Sequence, residues 1–213
     1  CPVLSGGRRV GDWQPYRDSI VQCSVPEGRG KWRFRQLFYN GQRQVRARTP
    51  NFDPRDPLKG GWANMEGPAE PGSQTAFKYK PGTFARPWAK PAEAEVNVFL
   101  GSDWANNIIP FQSIDEGARV VTLAHSTTLF TKPTSPLPYS IPIPFNPNQR
   151  FRVENVLEEL DQPGEWCWDS QAGTLYFWPP DDTVSQGEVV IPVLDTLVSL
   201  RGASHIVVSG FTF

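Results

Sequence analysis

The sequence predicts an all-β protein, in which a β-sandwich-like domain is inserted between two edges of a parallel β-solenoid. Of 213 residues, 22 are proline, 18 glycine and eight tryptophan. Proline is about twice as frequent as the usual ~5%, and this composition favours short strands joined by loops over helices. In the closing segment, residues 197–213, short alternating bursts of apolar residues are broken by Gly202 and Gly210. That pattern is typical of one rung of a β-solenoid.

The first quarter of the chain predicts the end of a rung and then three strands. Residues 1–7 resemble the end of a solenoid rung, and residues 19–25 and 32–39 are apolar, strand-like runs. Asn40-Gly41 is the strongest hairpin-turn signal in the chain, and residues 42–48 return as the partner strand.

The middle of the chain predicts a long loop followed by further strands. Residues 49–72 are rich in Pro, Gly, Asn and Asp, which favours an ordered loop. Residues 76–79 form a short strand, and residues 94–100 alternate well enough to be a central strand. Residues 106–114 and 118–123 are the two arms of a predicted hairpin.

The last part of the chain predicts one short helix and a hairpin. Residues 133–147 hold six prolines and no helix signal. The apolar residues within 149–160 recur at helical spacing, so this segment is the one predicted helix. A hairpin is predicted over 165–178 and a strand over 189–193. We therefore expect an edge over residues 1–11, an inserted domain over 12–188 and a rung over 189–213.

The overall charge, the apolar runs and the cysteines limit the classes of partner and of cross-link that we expect. The net charge is −1 and the pI near 6.2, so no nucleic-acid partner is expected. No apolar run is long enough to cross a membrane, and no metal-ligand spacing surrounds His125 or His205. Three cysteines cannot all pair with one another. Cys23 and Cys167 lie in strand-like segments, where a buried free thiol is favoured over a disulfide.

Several segments together resemble a known group of enzymes. They are PVLSGGR at 2–8, LFYNG at 37–41, RARTPN at 46–51, NVLEELD at 155–161, PGEW at 163–166, GTLYFWPP at 173–180 and the closing rung. In this order they are similar to the N-terminal half of right-handed parallel β-helix carbohydrate-active enzymes, above all glycoside hydrolase family 141. The layout is also similar to family 120 xylosidases, in which a β-sandwich is inserted in a β-helix. Cys167 departs from the pattern, since relatives usually carry an aromatic or aliphatic residue there.

The resemblance implies an accessory domain of a secreted or periplasmic glycoside hydrolase that acts on plant or microbial polysaccharide. In such enzymes the catalytic acids lie on later rungs, so no residue here receives a catalytic role and the chain alone is expected to be inactive. The implied partners are a polysaccharide or oligosaccharide and the β-helix rungs of the parent chain, with no cofactor. Two alternatives stay open: a non-catalytic carbohydrate-binding module, or part of a β-helix polysaccharide lyase.

The acidic residues offer no obvious catalytic pair. A glycosidase needs two carboxylates about 5 to 10 Å apart, with one of them held protonated. The residues considered are Asp53, Asp56, Asp103, Asp115, Glu116, Glu158, Glu159, Asp181 and Asp182. All except Asp103 lie in turn-like or polar segments, where carboxylates usually cap turns. Asp103 stands at the end of a predicted strand, and a turn cap is its alternative role.

Three tryptophans and Asp103 are the predicted carbohydrate-binding residues. Trp62, Trp88 and Trp104 lie in loops or at strand ends, where an indole could stack on the apolar face of a sugar. Packing beneath long loops is the alternative for all three. Trp32, Trp166 and Trp178 lie within predicted strands and are expected in the core.

A basic run extends from Arg29 to Arg48 and holds six arginines and one lysine. It would suit an acidic polysaccharide or a phosphate backbone. Arg33 and Arg35 are two residues apart, as are Arg46 and Arg48, so each pair should face one side of its strand. A solvated or ion-paired sheet face explains that pattern equally well.

Overall fold

The chain is all-β, as the sequence predicts, in a computed structural model that describes residues 2–101, 103, 105–128 and 141–212. It divides into two compact units. The first unit combines Cys1–Arg46 with Gln162–Phe213, and the second is Ala47–Asp161. Helical structure in the described residues is limited to three-residue 3₁₀ turns at Pro26–Gly28, Pro91–Glu93 and Leu157–Glu159. None of the helical turns in the described residues has the length of a membrane-spanning helix.

The strands are short, and most have fewer than seven residues. They are β1 (Gly7–Val10), β2 (Gln14–Arg17), β3 (Ile20–Ser24), β4 (Phe38–Tyr39), β5 (Gln42–Arg43), β6 (Val45–Arg46), β7 (Arg48–Thr49), β8 (Ala63–Pro68), β9 (Ala76–Tyr79), β10 (Glu95–Leu100), β11 (Ala105–Asp115), β12 (Val120–Leu123), β13 (Arg150–Glu154), β14 (Glu165–Asp169), β15 (Thr174–Phe177) and β16 (Val189–Pro192).

The first unit contains two sheets around an aromatic core. One sheet has the order β1-β16-β4-β5, and the other has the order β2-β3-β15-β14-β6. Trp166, Leu175 and Phe177 are fully buried between the strands. Asn40 and Gly41 have φ values of 48° and 74°, the two positive angles that a type I′ turn requires. The predicted Asn-Gly hairpin is therefore confirmed.

The second unit is a closed antiparallel barrel. Around the ring, β10, β11, β12, β9, β8 and β13 pair in turn, and β13 pairs back to β10. The short strand β7 adds to β13. Val96, Val98 and Leu100 of β10 point into the barrel, together with Phe151 and Val153 of β13. A barrel is a sheet closed on itself, whereas a sandwich has two stacked sheets. The strand pattern of the sequence, which predicted a sandwich-like domain, is the same for both arrangements.

The helix predicted over residues 149–160 is wrong. This segment is β13 followed by a 3₁₀ turn at Leu157–Glu159. Phe151 and Val153 are buried while Arg150 and Arg152 are half-buried, which is the period of two of a strand. Pairing of β13 with both neighbouring strands satisfies its backbone, and Asn155 then ends the extended run with a positive φ of 67°.

The predicted closing rung has little regular structure in the described residues. Residues 197–212 contain no strand, and a parallel bridge joins Val3 to Thr212. Many of the apolar side chains here are exposed, namely Leu194, Leu197, Val198, Leu200, Ile206, Val207, Val208 and Phe211. The β-helix edges and the boundaries near residues 11 and 189 stay predictions.

Candidate functional site

Two of the predicted sugar-binding residues, Trp62 and Asp103, contact the same arginine in the barrel unit. Trp62 immediately precedes β8, and Asp103 lies in the turn between β10 and β11 with a φ of 66°. Nε of Arg150, the first residue of β13, is 3.4 Å from Oδ1 of Asp103. The guanidinium carbon of Arg150 is 5.3 Å from the centroid of the Trp62 ring. Arg150 therefore links the indole to the carboxylate.

Phe99 and Arg152 complete what we call the Trp62 cluster: Trp62, Phe99, Asp103, Arg150 and Arg152. The Trp62 and Phe99 rings meet edge to face at 5.3 Å between centroids. The guanidinium of Arg150 lies 4.2 Å from the Phe99 centroid, and that of Arg152 lies 4.4 Å from the Trp62 centroid. Cation–π contacts of this kind contribute about 0.5–2 kcal/mol each, so they hold the indole in one orientation.

Strand alternation explains how these side chains come together. In β10, Val98 and Leu100 point into the barrel, so Phe99 between them points outward. In β13, the outward residues are Arg150 and Arg152. Phe99, Arg150 and Arg152 were not predicted from the sequence. The alternating run RFRVE at 150–154 was the available signal, and the helical interpretation of this segment concealed it.

Each arginine of the Trp62 cluster has a carboxylate partner, one inside the cluster and one, Glu154, beside it. Arg150 pairs with Asp103, and Nε of Arg152 lies 2.6 Å from Oε1 of Glu154. The Asp103 side chain is 57% exposed, so the carboxylate faces solvent beside Arg150. A fixed indole edged by guanidinium and carboxylate groups suits a ligand that combines an apolar face with many hydroxyls.

Trp88 lies in the barrel core rather than at the surface. It is 8% exposed, and its ring packs on Phe84 and Phe111 at 4.5 and 6.0 Å between centroids. Its Nε1 donates a hydrogen bond to Oε1 of Glu159 at 3.0 Å. We therefore assign Trp88 to packing, the alternative that the sequence left open. Trp104 lies outside the described residues.

A cleft of about 300 Å³ borders Trp88 where β9 ends and the β11–β12 turn begins. Phe84 packs on Tyr79 with the ring planes tilted and the centroids 4.5 Å apart, and Glu116 and Arg119 also line the cleft. Arg119 is paired with Glu66 at 3.1 Å. Burial is the main cause that raises the pKa of Tyr79, and the charge of Glu116 adds to it.

Several of the considered carboxylates accept hydrogen bonds from backbone N–H groups. The backbone N–H of Lys59 donates to Asp56, that of Ala118 to Asp115, and that of Ala89 to Glu158, at 3.1, 2.8 and 3.0 Å respectively. The Asp56 and Asp115 contacts are turn caps of the kind predicted from the sequence, whereas the Glu158 contact joins two segments that are distant in the chain.

Asp53 and Asp181 are biased away from the protonated form that a general acid requires. A hydrogen bond from the Arg55 side chain is the main cause that lowers the pKa of Asp53. Hydrogen bonds from the Thr183 side chain and backbone, and then from Tyr39, lower the pKa of Asp181. A glycosidase acid instead needs a raised pKa, so neither residue suits that role.

The cysteine prediction is confirmed, since Cys23 and Cys167 are buried and free. Burial is the main cause that raises the pKa of the Cys23 thiol to about 12. Within the described part of the chain, no group of three His, Cys, Asp or Glu residues could hold a metal ion.

The second arginine pair of the basic run does not form one solvated face. Arg48 is buried, with its guanidinium 5.0 Å from the centroid of the Phe52 ring. Arg46 is half-buried, with its guanidinium 5.8 Å from a ring centroid of Trp166. Both arginines therefore pack on aromatic rings within their own units.

Two comparisons with known proteins gave matches, and both matches concern glycoside hydrolases. A family model described as "GH141 insertion domain" matches residues 20–180, most of the chain. A solved structure described as a glycoside hydrolase matches with a TM-score of 0.65 and 24% sequence identity. The match covers 94% of this chain and 33% of the other, so the chain corresponds to about a third of that protein's length. At this identity the match supports the fold. No curated protein matches the sequence.

Proposed function

Since the chain belongs to the family of GH141 insertion domains, we propose that it is an accessory β domain of a glycoside hydrolase acting on plant or microbial polysaccharide. The observation that carries this proposal is the family match over residues 20–180. The local roles of the carboxylates support the further proposal that this chain lacks the catalytic pair. A secreted or periplasmic location belongs to the same proposal.

We also propose that further β-helix rungs of the parent enzyme pack against the last segment of this chain. Eight large apolar side chains between Leu194 and Phe211 are exposed, an unusual number for so short a segment of a monomer in water. Further β-helix rungs stacked on residues 197–212 would cover these side chains. A rung cannot bury its apolar face without neighbours, which gives the exposure a physical reason.

We assign the carbohydrate contact of this domain to the Trp62 cluster. Its indole contacts two guanidiniums, and the Asp103 carboxylate lies exposed beside one of them, that of Arg150. The paired charges favour a neutral, hydroxyl-rich ligand over an anion. Stacking on Trp62 would supply the apolar contact, while Asp103 would accept hydrogen bonds from sugar hydroxyls.

A glycan array combined with affinity electrophoresis tests this assignment. We expect the chain to bind a neutral plant or microbial polysaccharide and Trp62→Ala to lose that binding. Phe52→Ala is the matched control, because Phe52 is an aromatic residue of the same unit, 41% exposed and outside the cluster. Retention of binding by a folded Trp62→Ala variant would contradict the role of Trp62. Absence of binding by the folded wild type would contradict the carbohydrate contact itself.

A hydrolysis assay tests the proposed absence of the catalytic pair. The chain alone should release no product from chromogenic aryl glycosides or from the polysaccharide that it binds. Turnover that is abolished by Asp103→Asn would place a catalytic carboxylate in this chain and overturn the proposal.

A further inference from the structure

We propose that a groove in the first unit, lined by Lys31, Arg33 and Arg35, binds the anionic groups of an acidic polysaccharide. The groove encloses about 450 Å³. Its remaining lining is Trp32, Phe34, Gln36, Pro192, Val193, Leu194 and Asp195. The choice of a carbohydrate as ligand rests on the proposed function, whereas the charge requirement comes from the groove. We call these lining residues the basic groove.

The cationic wall does not belong to a sheet. The strand predicted over residues 32–39 is observed only at Phe38–Tyr39, so Arg33 and Arg35 lie before β4. Phe34 is 6% exposed and packs on Trp166 and Trp168, with centroids 5.5 and 5.2 Å apart. Because Phe34 is anchored inward, both flanking arginines are exposed. The predicted sheet-face explanation of this pair therefore does not apply.

A tight turn fixes the start of the same wall. The backbone N–H groups of Lys31 and Trp32 both donate to the carbonyl of Gly28 at 3.0 Å. Gly28 packs so closely on Trp32 that an added Cβ would lie 2.6 Å from the indole atom Cε3. Trp32 is also held by its carbonyl, which accepts a hydrogen bond from Nε1 of Trp168 at 3.2 Å. The wall is thus preorganised before any ligand binds.

The opposite wall is held by the end of β16. The backbone N–H groups of Val193 and Leu194 donate to the carbonyl of Gly6 at 2.9 and 3.1 Å. This wall contributes one carboxylate, Asp195, against three cations on the facing segment. The lining therefore carries a net positive charge, in a chain whose overall net charge is −1.

Many arginines outside the basic groove are paired with carboxylates. Arginines with a carboxylate partner within 4 Å include Arg8 with Glu27, Arg9 with Glu188, Arg55 with Asp53, Arg86 with Asp161, Arg119 with Glu66, Arg150 with Asp103 and Arg152 with Glu154. In the described part of the chain, Lys31 and Arg33 have no such partner. Exposed cations without a carboxylate partner are available to bind an anion.

The repeat of the cations favours a ligand with several anionic groups. Lys31 and Arg33 lie two residues apart on one segment and are both exposed, so the groove presents more than one positive charge to a ligand. Carboxylates or sulfates on successive sugars match that arrangement. A nucleic-acid partner is disfavoured, because such domains are usually basic overall, with a pI above ~9, and this chain has a pI near 6.2.

The test compares polymers that differ only in charge. Affinity electrophoresis and calorimetry would measure binding of the chain to polygalacturonate against its methyl ester, and to dextran sulfate against dextran. We expect the acidic member of at least one pair to bind about tenfold more tightly, and added salt to weaken that binding. Lys31→Gln with Arg33→Gln should reduce the affinity about tenfold, as for the loss of charge-assisted contacts.

Arg9→Gln is the matched control for the loss of a positive charge. Arg9 lies in the same unit, and its side chain is 82% exposed and paired with Glu188. We expect Arg9→Gln to bind the acidic polymer as the wild type does. Thermal unfolding of each variant would verify that the fold is intact.

Three outcomes would overturn the proposal. They are equal binding of charged and neutral polymers, equal losses in Arg9→Gln and in the groove variant, and full competition by a DNA oligonucleotide. Binding of neutral glycan, measured with Trp62→Ala, is a separate readout. Failure of the Trp62 assignment is therefore distinguishable from failure of the basic groove.

Discussion

Nε1 of Trp88 donates a hydrogen bond to Oε1 of Glu159 at 3.0 Å, and both residues are less than 10% exposed. The other carboxylate oxygen of Glu159 lies 3.7 Å from Nε of Arg86. Each oxygen of this buried carboxylate thus has a partner, which is the condition under which burial of a charge is tolerated. The contact also ties the loop after β9 to the segment after β13.

Trp88→Phe should lower the free energy of unfolding by about 1–3 kcal/mol, because it leaves a buried carboxylate oxygen without its donor. Urea denaturation measures the change. Trp13→Phe is the matched control, since Trp13 is half-buried and its indole N–H has no hydrogen-bond partner in the described part of the chain. Equal losses in the two variants would refute a specific role for the hydrogen bond.

Gly28→Ala should destabilise the first unit by about 1–3 kcal/mol, the usual cost of forcing extra volume into a packed site. The added methyl carbon would lie 2.6 Å from Cε3 of Trp32, so the turn that carries Lys31 must shift. Gly11→Ala is the control, because a Cβ there meets nothing within 4 Å. Thermal unfolding and binding of the acidic polymer would both be measured. Unchanged behaviour of Gly28→Ala would contradict the preorganised turn.

Asp181→Asn should reduce stability at neutral pH and leave a smaller deficit in acid. Hydrogen bonds from Thr183 and Tyr39 lower the pKa of Asp181 below its ordinary value of 3.8. A carboxyl group with a lowered folded-state pKa stabilises the fold above its ordinary pKa, and this contribution disappears as the pH falls through the folded-state value. Unfolding curves between pH 7 and pH 3 would measure the difference. Equal deficits of the variant at pH 7 and at pH 3 would contradict this linkage.

Cys23 should resist alkylation in the native chain and react after unfolding. Burial, assisted by the negative charge of Asp12, raises the pKa of Cys23 to about 12 from 9.0. Since the thiolate is the reactive form, almost none is present at pH 8. Iodoacetamide labelling followed by peptide mass spectrometry measures the modification with and without urea. Rapid native labelling at Cys23 would contradict the buried position.

The same pKa shift predicts a loss of stability at high pH. A thiol with a raised folded-state pKa stabilises the fold fully below its unfolded value of 9.0, and this contribution is lost as the pH rises towards about 12. Cys23→Ala should therefore reduce the fall in unfolding free energy over this range. An identical alkaline dependence in the variant would be evidence against this linkage.

Local patterns in the sequence predicted much of the strand structure. The Asn40-Gly41 turn has the positive φ angles expected from its residues, and β14 and β15 pair as the predicted hairpin. The hairpin arms β11 and β12 also agree with their apolar alternation. In these segments the turn and both strands are adjacent in the chain, so local preferences suffice.

Non-local pairing accounts for what the sequence did not predict. Closure of the barrel depends on β13 meeting β10, whose residues lie more than 50 positions earlier in the chain. For residues 149–160, apolar spacing favoured a helix, and tertiary pairing overrode it. The Trp62 cluster was only partly predicted for the same reason, because Arg150 meets Asp103 only once β13 is a strand.

The pairing of β7 with β13 brings together the two ends of the segment that forms the barrel. The N–H of Asn155 donates to the carbonyl of Ala47 at 2.8 Å, and Nδ2 of Asn51 donates to Oδ1 of Asp161 at 2.8 Å. The points where the chain enters and leaves the barrel are therefore side by side. A segment with adjacent ends can be excised, transplanted into another host loop or circularly permuted with a short linker. Residues 47–161 thus meet the geometric requirement for a transferable module.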